Sequence, residues 1–280
     1  MLNLMYITGN PDIAEIVENT GVQRIFVDLE CIGKSERQGG MDTVKSSHTY
    51  EDIIKIRQTI KKAELLVRCN PIHEATESYC SSKDEIEKAI EAGADVLMLP
   101  YFKKASEVEE FIKIVNGRVK TLPLVETPEA VACIDEILAL DGIDEIFVGL
   151  NDLSLGYGMK FMFQLLVDGT VEKLCEKFKK KGIPYGFGGI AALGKGLLSS
   201  DKIIAEHYRL GSTCAILSRS FCNANKISDI DEIRRLFNKG IKDIRDYEIK
   251  CASGQIDFKE NTRLIKLSVD ETINKLYSKI

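Results

Sequence analysis

A chain of 280 residues with 44% hydrophobic content can bury a full core, either as one large α/β barrel or as two small domains. Its net charge of -5 comes from acidic and basic residues mixed throughout, which argues against nucleic acid or a membrane surface and for a small soluble ligand. No basic and apolar signal opens the chain and no apolar run nears the roughly 20 residues that cross a bilayer, so a cytoplasmic protein is expected.

Eight cysteines, at 31, 69, 80, 133, 175, 214, 222 and 251, show no CxxC spacing, and neither a zinc knuckle nor a redox pair is indicated. Cys69 and Cys214 in strand-like runs, and Cys133 and Cys175 in helical ones, read as small packing hydrophobes.

In chain order, short apolar runs alternate with amphipathic helical segments. Leu2 to Thr8 is the first strand. Asn10 as N-cap and Pro11 at the first helical position start a helix to Asn19, stopped at Gly21. RIFVDLE, Arg24 to Glu30, is the second strand, ending in Asp28 and Glu30. A polar loop follows, CIGKSERQGGMDTVKSSH, much longer than a connection requires and therefore a functional candidate. A helix from Thr49 to Ala63 leads to ELLVRCN, whose end presents Arg68 and Asn70. Lys83 to Ala92 is helical, ADVLMLP is strand four, and Ala105 to Val115 is helical. TLPLVE is strand five, followed by a helix from Pro128 to Leu140, and DEIFVG is strand six. A helix from Lys160 to Lys181 closes on Gly182, IPYGFGG is strand seven, Ser199 to Leu210 is helical, and STCAILSRS is strand eight.

Eight strands alternating with helices, with no hairpin signal between neighbours, predict a closed (β/α)8 TIM barrel over residues 1–222, with an open doubly wound sheet as runner-up. Residues 223–280 form extra C-terminal helices, with a break at Ser253 and Gly254. Leu264, Leu267, Ile273 and Leu276 make an apolar stripe on the last helix, which packs either on a partner subunit or on its own barrel. A homo-oligomer is expected.

In such barrels chemistry sits at the C-terminal strand ends. Glu126 and Asp152 end consecutive units, and if those strands are neighbours their ends lie about 5 Å apart. Two carboxylates that close repel unless a proton or cation lies between them, and oxygen-only donors suit Mg2+ or Mn2+. The plainer reading is that Glu126 caps the following helix and Asp152 a turn. A guanidinium at Arg68 suits the carboxylate of a 2-oxo acid, and a metal would draw off enolate charge. No lysine stands at a strand end to serve as a covalent group.

The segments LVETPEAV and IFVGLNDLSLGYG, with VDLE and LLVRCN, resemble the HpcH/HpaI aldolase and citrate lyase beta-subunit family of metal-dependent pyruvate-type lyases. The resemblance implies a (β/α)8 barrel with a C-terminal helix exchanged between subunits. It further implies Mg2+ or Mn2+ on Glu126 and Asp152, Arg68 on the substrate carboxylate, and backbone amides of Gly149, Leu150 and Asn151 assisting. Aldolases of this family place a His after the strand-two glutamate and the citrate lyase branch an Asp, whereas this chain has Cys31. The acid/base group is then a metal-bound water, Glu30, or His48 brought in by the long loop. Cys31 as a nucleophile requires cations such as Lys34 and Arg37 beside it. His73 reads as an exposed loop or cap residue and His207 as a helix surface residue.

Substrate identity would be written in GKSERQGG, YGMKFMFQ, GFGG and SRS. Gly188, Gly189, Ser218 and Arg219 suit a phosphate, or else the glycines shape a tight loop and Arg219 pairs with a rim acid. The expected activity is a carbon-carbon lyase acting on a 2-oxo acid, with a phosphorylated or acyl-CoA substrate within range. The alternatives are a non-catalytic metal and 2-oxo acid binding protein, and a phosphoenolpyruvate-using transferase or mutase.

Overall fold

The computed structural model describes residues 1–34 and 48–277. Arg37 and the rest of GKSERQGG beyond Lys34 lie outside the described residues. Eight parallel strands form a closed barrel in chain order: β1 (Asn3–Ile7), β2 (Arg24–Asp28), β3 (Glu64–Arg68), β4 (Val96–Leu99), β5 (Lys120–Val125), β6 (Ile146–Val148), β7 (Tyr185–Ile190) and β8 (Cys214–Leu217). The (β/α)8 expectation holds. The chain forms two compact units, residues 6–147 and residues 1–5 with 148–280.

In the first unit, α1 (Pro11–Asn19) begins as its sequence dictates: the Asn10 side chain accepts the amides of Asp12 and Ile13, and Pro11 supplies a preset φ. α2 (Tyr50–Thr59) starts from a capping box in which Thr49 and Asp52 satisfy each other's backbone amides. α3 (Ser82–Glu91) and α4 (Ala105–Val115) follow β3 and β4. The expected helix from Pro128 to Leu140 is two short ones, α5 (Pro128–Ala132) and α6 (Ile134–Leu138), because Cys133 leaves the helical region between them.

β2 and β3 pair with Arg24 opposite Glu64 and Asp28 opposite Arg68. At the N-terminal end, fully buried Arg24 donates to Glu64 (Nη2 to Oε2 2.6 Å) and to Glu145 (Nη1 to Oε2 3.0 Å, Nη2 to Oε1 2.8 Å), and Lys120 adds a 2.6 Å contact to Glu64. Burial opposes the Arg24 charge, but the two carboxylates outweigh it and hold the guanidinium ionised.

In the second unit, α7 (Leu150–Gly156) follows β6 directly, a helix that the sequence pattern did not separate from its strand. The expected helix from Lys160 to Lys181 is divided into α8 (Gln164–Val167) and α9 (Thr170–Lys181) by Gly169, whose φ of 84° no helix accommodates. After α10 (Ser200–Leu210) and β8 come α11 (Ile230–Ala252) and α12 (Phe258–Tyr277), separated at Ser253 and Gly254 as expected. Glu248, fully buried on α11, accepts the Leu2 amide (2.5 Å), the Tyr208 hydroxyl (3.0 Å) and Arg245 Nη1 (2.5 Å), anchoring the N-terminus.

α12 buries Asn261, Ile265 and Val269 and leaves Leu264, Leu267 and Leu276 exposed. Three of the four residues of the stripe read from the sequence thus face outward, and Ile273 is half-buried. Asn261 Nδ2 and Thr262 Oγ1 both donate to Glu206 Oε1 on α10, at 3.1 and 3.0 Å, so this helix docks against the chain's own fold through its other side.

His207, expected on a helix surface, is fully buried: its ring stacks on Phe187 at 3.9 Å and Nδ1 lies 2.8 Å from Ser212 Oγ, while Nε2 has no partner among the described residues. Burial pushes its pKa down to about 3. A base whose folded pKa lies below its unfolded value of about 6.5 stabilises the fold above pH 6.5 and loses that contribution as pH falls toward 3, by at most about 1.4 kcal/mol per pH unit. His207→Phe, which preserves the stack, should therefore flatten the fall in Tm between pH 6.5 and 4; a variant that tracks the parent's Tm across that range would refute the assignment.

Burial also pushes up the thiols of Cys69 and Cys175, the latter to about 12, as packing residues require. No described helix is long and apolar enough to cross a membrane.

Candidate active site

Parallel register sets the centre of the site. Asp28 and Arg68 end β2 and β3 as direct partners, and Arg68 closes a fork on Asp28, Nε to Oδ1 at 2.8 Å and Nη2 to Oδ2 at 2.7 Å. Nη1 lies 3.3 Å from Glu30 Oε2, and the guanidinium sits 5.6 Å from the Phe26 ring centroid, on a flat apolar floor. Lys34, which sequence reasoning assigned only as a neighbour of Cys31, turns back to place Nζ 2.7 Å from Asp28 Oδ2 and 3.5 Å from Glu30 Oε2. The Glu30 amide completes the shell of Asp28 at 3.1 Å. Burial disfavours the Asp28 carboxylate, yet Arg68 and Lys34 outweigh it and hold its pKa well below the usual range. Burial likewise opposes the Arg68 charge, and Asp28 and Glu30 overcome it.

Asn70 holds the start of the long loop. Its Oδ1 accepts the amides of Cys31 (2.8 Å) and Ile32 (2.9 Å), while its own amide and Nδ2 donate to Glu85 on α3 at 2.7 and 3.1 Å. Burial raises the pKa of Glu85, and the hydrogen bonds from Asn70 only partly offset this. Cys31 itself is exposed, with Sγ 3.5 Å from Asn70 Oδ1.

His48 meets the same group from another side: the Asp28 amide donates to its Nδ1 at 3.0 Å, so the ring is neutral with its proton on Nε2. Burial lowers its pKa against the pull of Asp28 and Asp52. Gly9 makes room for the ring, since a Cβ there would stand 2.6 Å from His48 Cδ2. His73, expected as a loop or cap residue, is half-buried, with Nδ1 2.7 Å from Pro71 O and Nε2 2.8 Å from Cys80 O.

Glu126, buried at the end of β5, accepts the Tyr101 amide on Oε1 at 3.0 Å. Tyr101 adopts φ 50°, a conformation costly for a bulky side chain and the sort of strain retained where a backbone donor must be aimed. The cap of α5 is Thr127: Oγ1 accepts the Ala130 amide at 3.1 Å and donates to Phe102 O at 2.7 Å. Glu126 is therefore not spent on capping.

In the second unit, Gly149 occupies the cap position of α7 with no side-chain cap, and Asp152 lies in the first turn, its Oδ1 accepting Asn151 Nδ2 at 3.0 Å. The amides of Leu150 and Asn151, like those opening any helix, have no partner within it. Gly188 has φ 56°, and a Cβ there would meet Leu150 Cδ1 at 2.8 Å; one at Gly189 would meet Ser218 Cβ at 3.3 Å. A side chain at Gly188 would clash, and one at Gly189 would be crowded. Arg219 is exposed in the turn after β8. Among the described residues, no three His, Cys, Asp or Glu side chains gather as a metal centre.

The HpcH/HpaI aldolase/citrate lyase family model matches residues 3–164. The hydroxypyruvate/pyruvate aldolase of Sagittula stellata is 28% identical over a 137-residue alignment covering 36% of this chain and 52% of that protein. The protein of the same description from Roseovarius nubinhibens is 24% identical over 155 residues, 44% of this chain and 56% of its own. The chain spans about half the length of these curated relatives. The crystal structure of an HpcH/HpaI aldolase from Desulfitobacterium hafniense DCB-2 superposes with a TM-score of 0.60 at 18% identity, covering 88% of this chain and 93% of that one, a likeness of fold.

Proposed function

Because the chain belongs to the HpcH/HpaI aldolase/citrate lyase family, we propose that it is a divalent-metal-dependent carbon-carbon lyase that makes or breaks the bond beside the enolate of a pyruvate-like 2-oxo acid. The observation that carries this reading is the orientation of Arg68, clamped by Asp28 and Glu30 at the end of β3. A planar guanidinium fixed through Nε, Nη1 and Nη2 would offer the second N–H of each terminal nitrogen to a ligand carboxylate.

Glu126 and Asp152 are each the kind of oxygen donor that would hold Mg2+ or Mn2+: Mg2+ is commonly held by one or two carboxylates, with water and substrate oxygens filling the other positions. The bound ion would supply stabilisation of the negative charge that develops on the keto oxygen. Tyr101 aims Glu126 through its amide. Glu30 and His48 both lie against the Asp28 and Arg68 pair, and either would be the group that moves a proton at the substrate carbon. Cys31 is turned to Asn70 and Lys34 to Asp28, which favours Glu30 or His48 over a thiolate.

Pyruvate incubated with the protein and Mg2+ in heavy water should lose its methyl proton signal, and Glu126→Gln and Asp152→Asn should each abolish that exchange. Absence of metal-dependent exchange in a protein shown to bind pyruvate would overturn the lyase reading.

A further inference from the structure

Lys34 has no place in the chemistry outlined so far, yet its side chain is only 9% exposed and its ammonium is committed to Asp28 and Glu30. Those acids are 4% and 1% exposed, and Arg68, which they also hold, is 15% exposed. Burying an ammonium is costly, so a lysine is drawn in only where charge requires it. The requirement is visible in the contacts. Arg68 engages three of its five N–H groups with Asp28 and Glu30. Its positive charge is therefore already matched by two negative ones, and those three side chains alone carry a net charge of minus one. A substrate carboxylate approaching Arg68 would meet that surplus. Adding Lys34 brings the group of four to neutrality and takes up none of the guanidinium N–H groups, because the ammonium binds the acids alone.

We propose that Lys34 is a positioning residue that balances the charge of Asp28 and Glu30, so that Arg68 can accept a carboxylate. The proposal rests on the reading of Arg68 as the substrate anchor. It also accounts for the position of the residue: Lys34 reaches Asp28 across a separation of six residues by the turn after β2. An arginine forced into Glu30 and Asp28 from the same position would keep the charge, whereas a methionine would fill the space and lose it.

The probe is oxalate, a stand-in for the planar enolate of pyruvate, titrated by calorimetry with Mg2+ present. Lys34→Met should weaken oxalate binding about tenfold, and Lys34→Arg should stay within about threefold of the parent. Removing one negative charge as well, in the double variant K34M/E30Q, should recover most of the loss. In the pyruvate exchange assay, Lys34→Met should raise KM with little change in kcat. A residue that only fills space would give none of this recovery.

Lys34→Met binding oxalate as tightly as the parent would overturn the inference, as would a double variant no better than the single one. Should Lys34→Met fail to fold, Glu30→Gln is compared with K34M/E30Q: about a tenfold tighter affinity in the former supports the proposal and equal affinities overturn it. A parent protein that binds no oxalate with Mg2+ would instead remove the reading of Arg68 as the anchor, and this inference with it.

Discussion

Arg68→Lys should lower kcat/KM for a pyruvate-type substrate by about 100-fold or more, although the charge is conserved. The guanidinium performs two tasks at once. Its Nε and Nη2 span both oxygens of Asp28, its Nη1 touches Glu30 and its plane rests over Phe26, so that one N–H of each terminal nitrogen would be left to meet a carboxylate. An ammonium is a point donor on a flexible stem; drawn to Asp28 beside Lys34, it cannot also reach a carboxylate in a fixed plane. Steady-state kinetics with pyruvate, or the proton exchange rate, measures the effect. A lysine variant within about threefold of the parent would show that planar recognition contributes nothing at this position.

Arg24→Met should destabilise the fold by about 3–5 kcal/mol and leave the substrate end of β3 chemically intact. Arg24 is fully buried and binds Glu64 and Glu145 together, so its removal strands Glu145 and leaves Glu64 with Lys120 alone. At the roughly 2–4 °C per kcal/mol that applies to chains of this order, Tm should fall by about 10 °C. Glu64 retains Lys120 and recovers part of the loss, whereas Glu145 has the greater need of Arg24. Adding Glu64→Gln and Glu145→Gln should return more than half of the lost stability, since an unpaired buried charge costs more than an absent pair. A denaturant titration of the single and triple variants decides the matter; a single variant within 1 kcal/mol of the parent, roughly, would mean that the network contributes little.

The barrel could be read from the chain because each strand is a short apolar run and each helix start carries its own cap, as at Asn10 and Pro11. Glu126 was identified from its place before a helix, and Thr127 beside it shows why it is spared for other work. Lys34 escaped because its role depends on a turn that brings the chain back onto Asp28, a relation that no periodicity records. His207 reads as polar surface beside Arg209, and only the Phe187 ring from β7 makes its position a core one. On α12 apolar residues stand on two sides of the helix, and docking onto α10 through Asn261 and Thr262 selected Ile265 and Val269 for burial over Leu264 and Leu267. The split of the long helices at Cys133 and Gly169 turns on single backbone dihedrals that a hydrophobic pattern averages away.

The charges at the two ends of β2 and β3 also dictate how these strands may meet. Run the same way and in step, RIFVD and ELLVR set plus against minus at both extremities. Reversed, they would oppose Arg24 to Arg68 and Asp28 to Glu64, and a shift of one place would turn every side chain to the wrong face. Polarity and alignment of this neighbouring pair are thereby encoded locally, and the grip of Arg68 on Asp28 is set as soon as the two segments find each other.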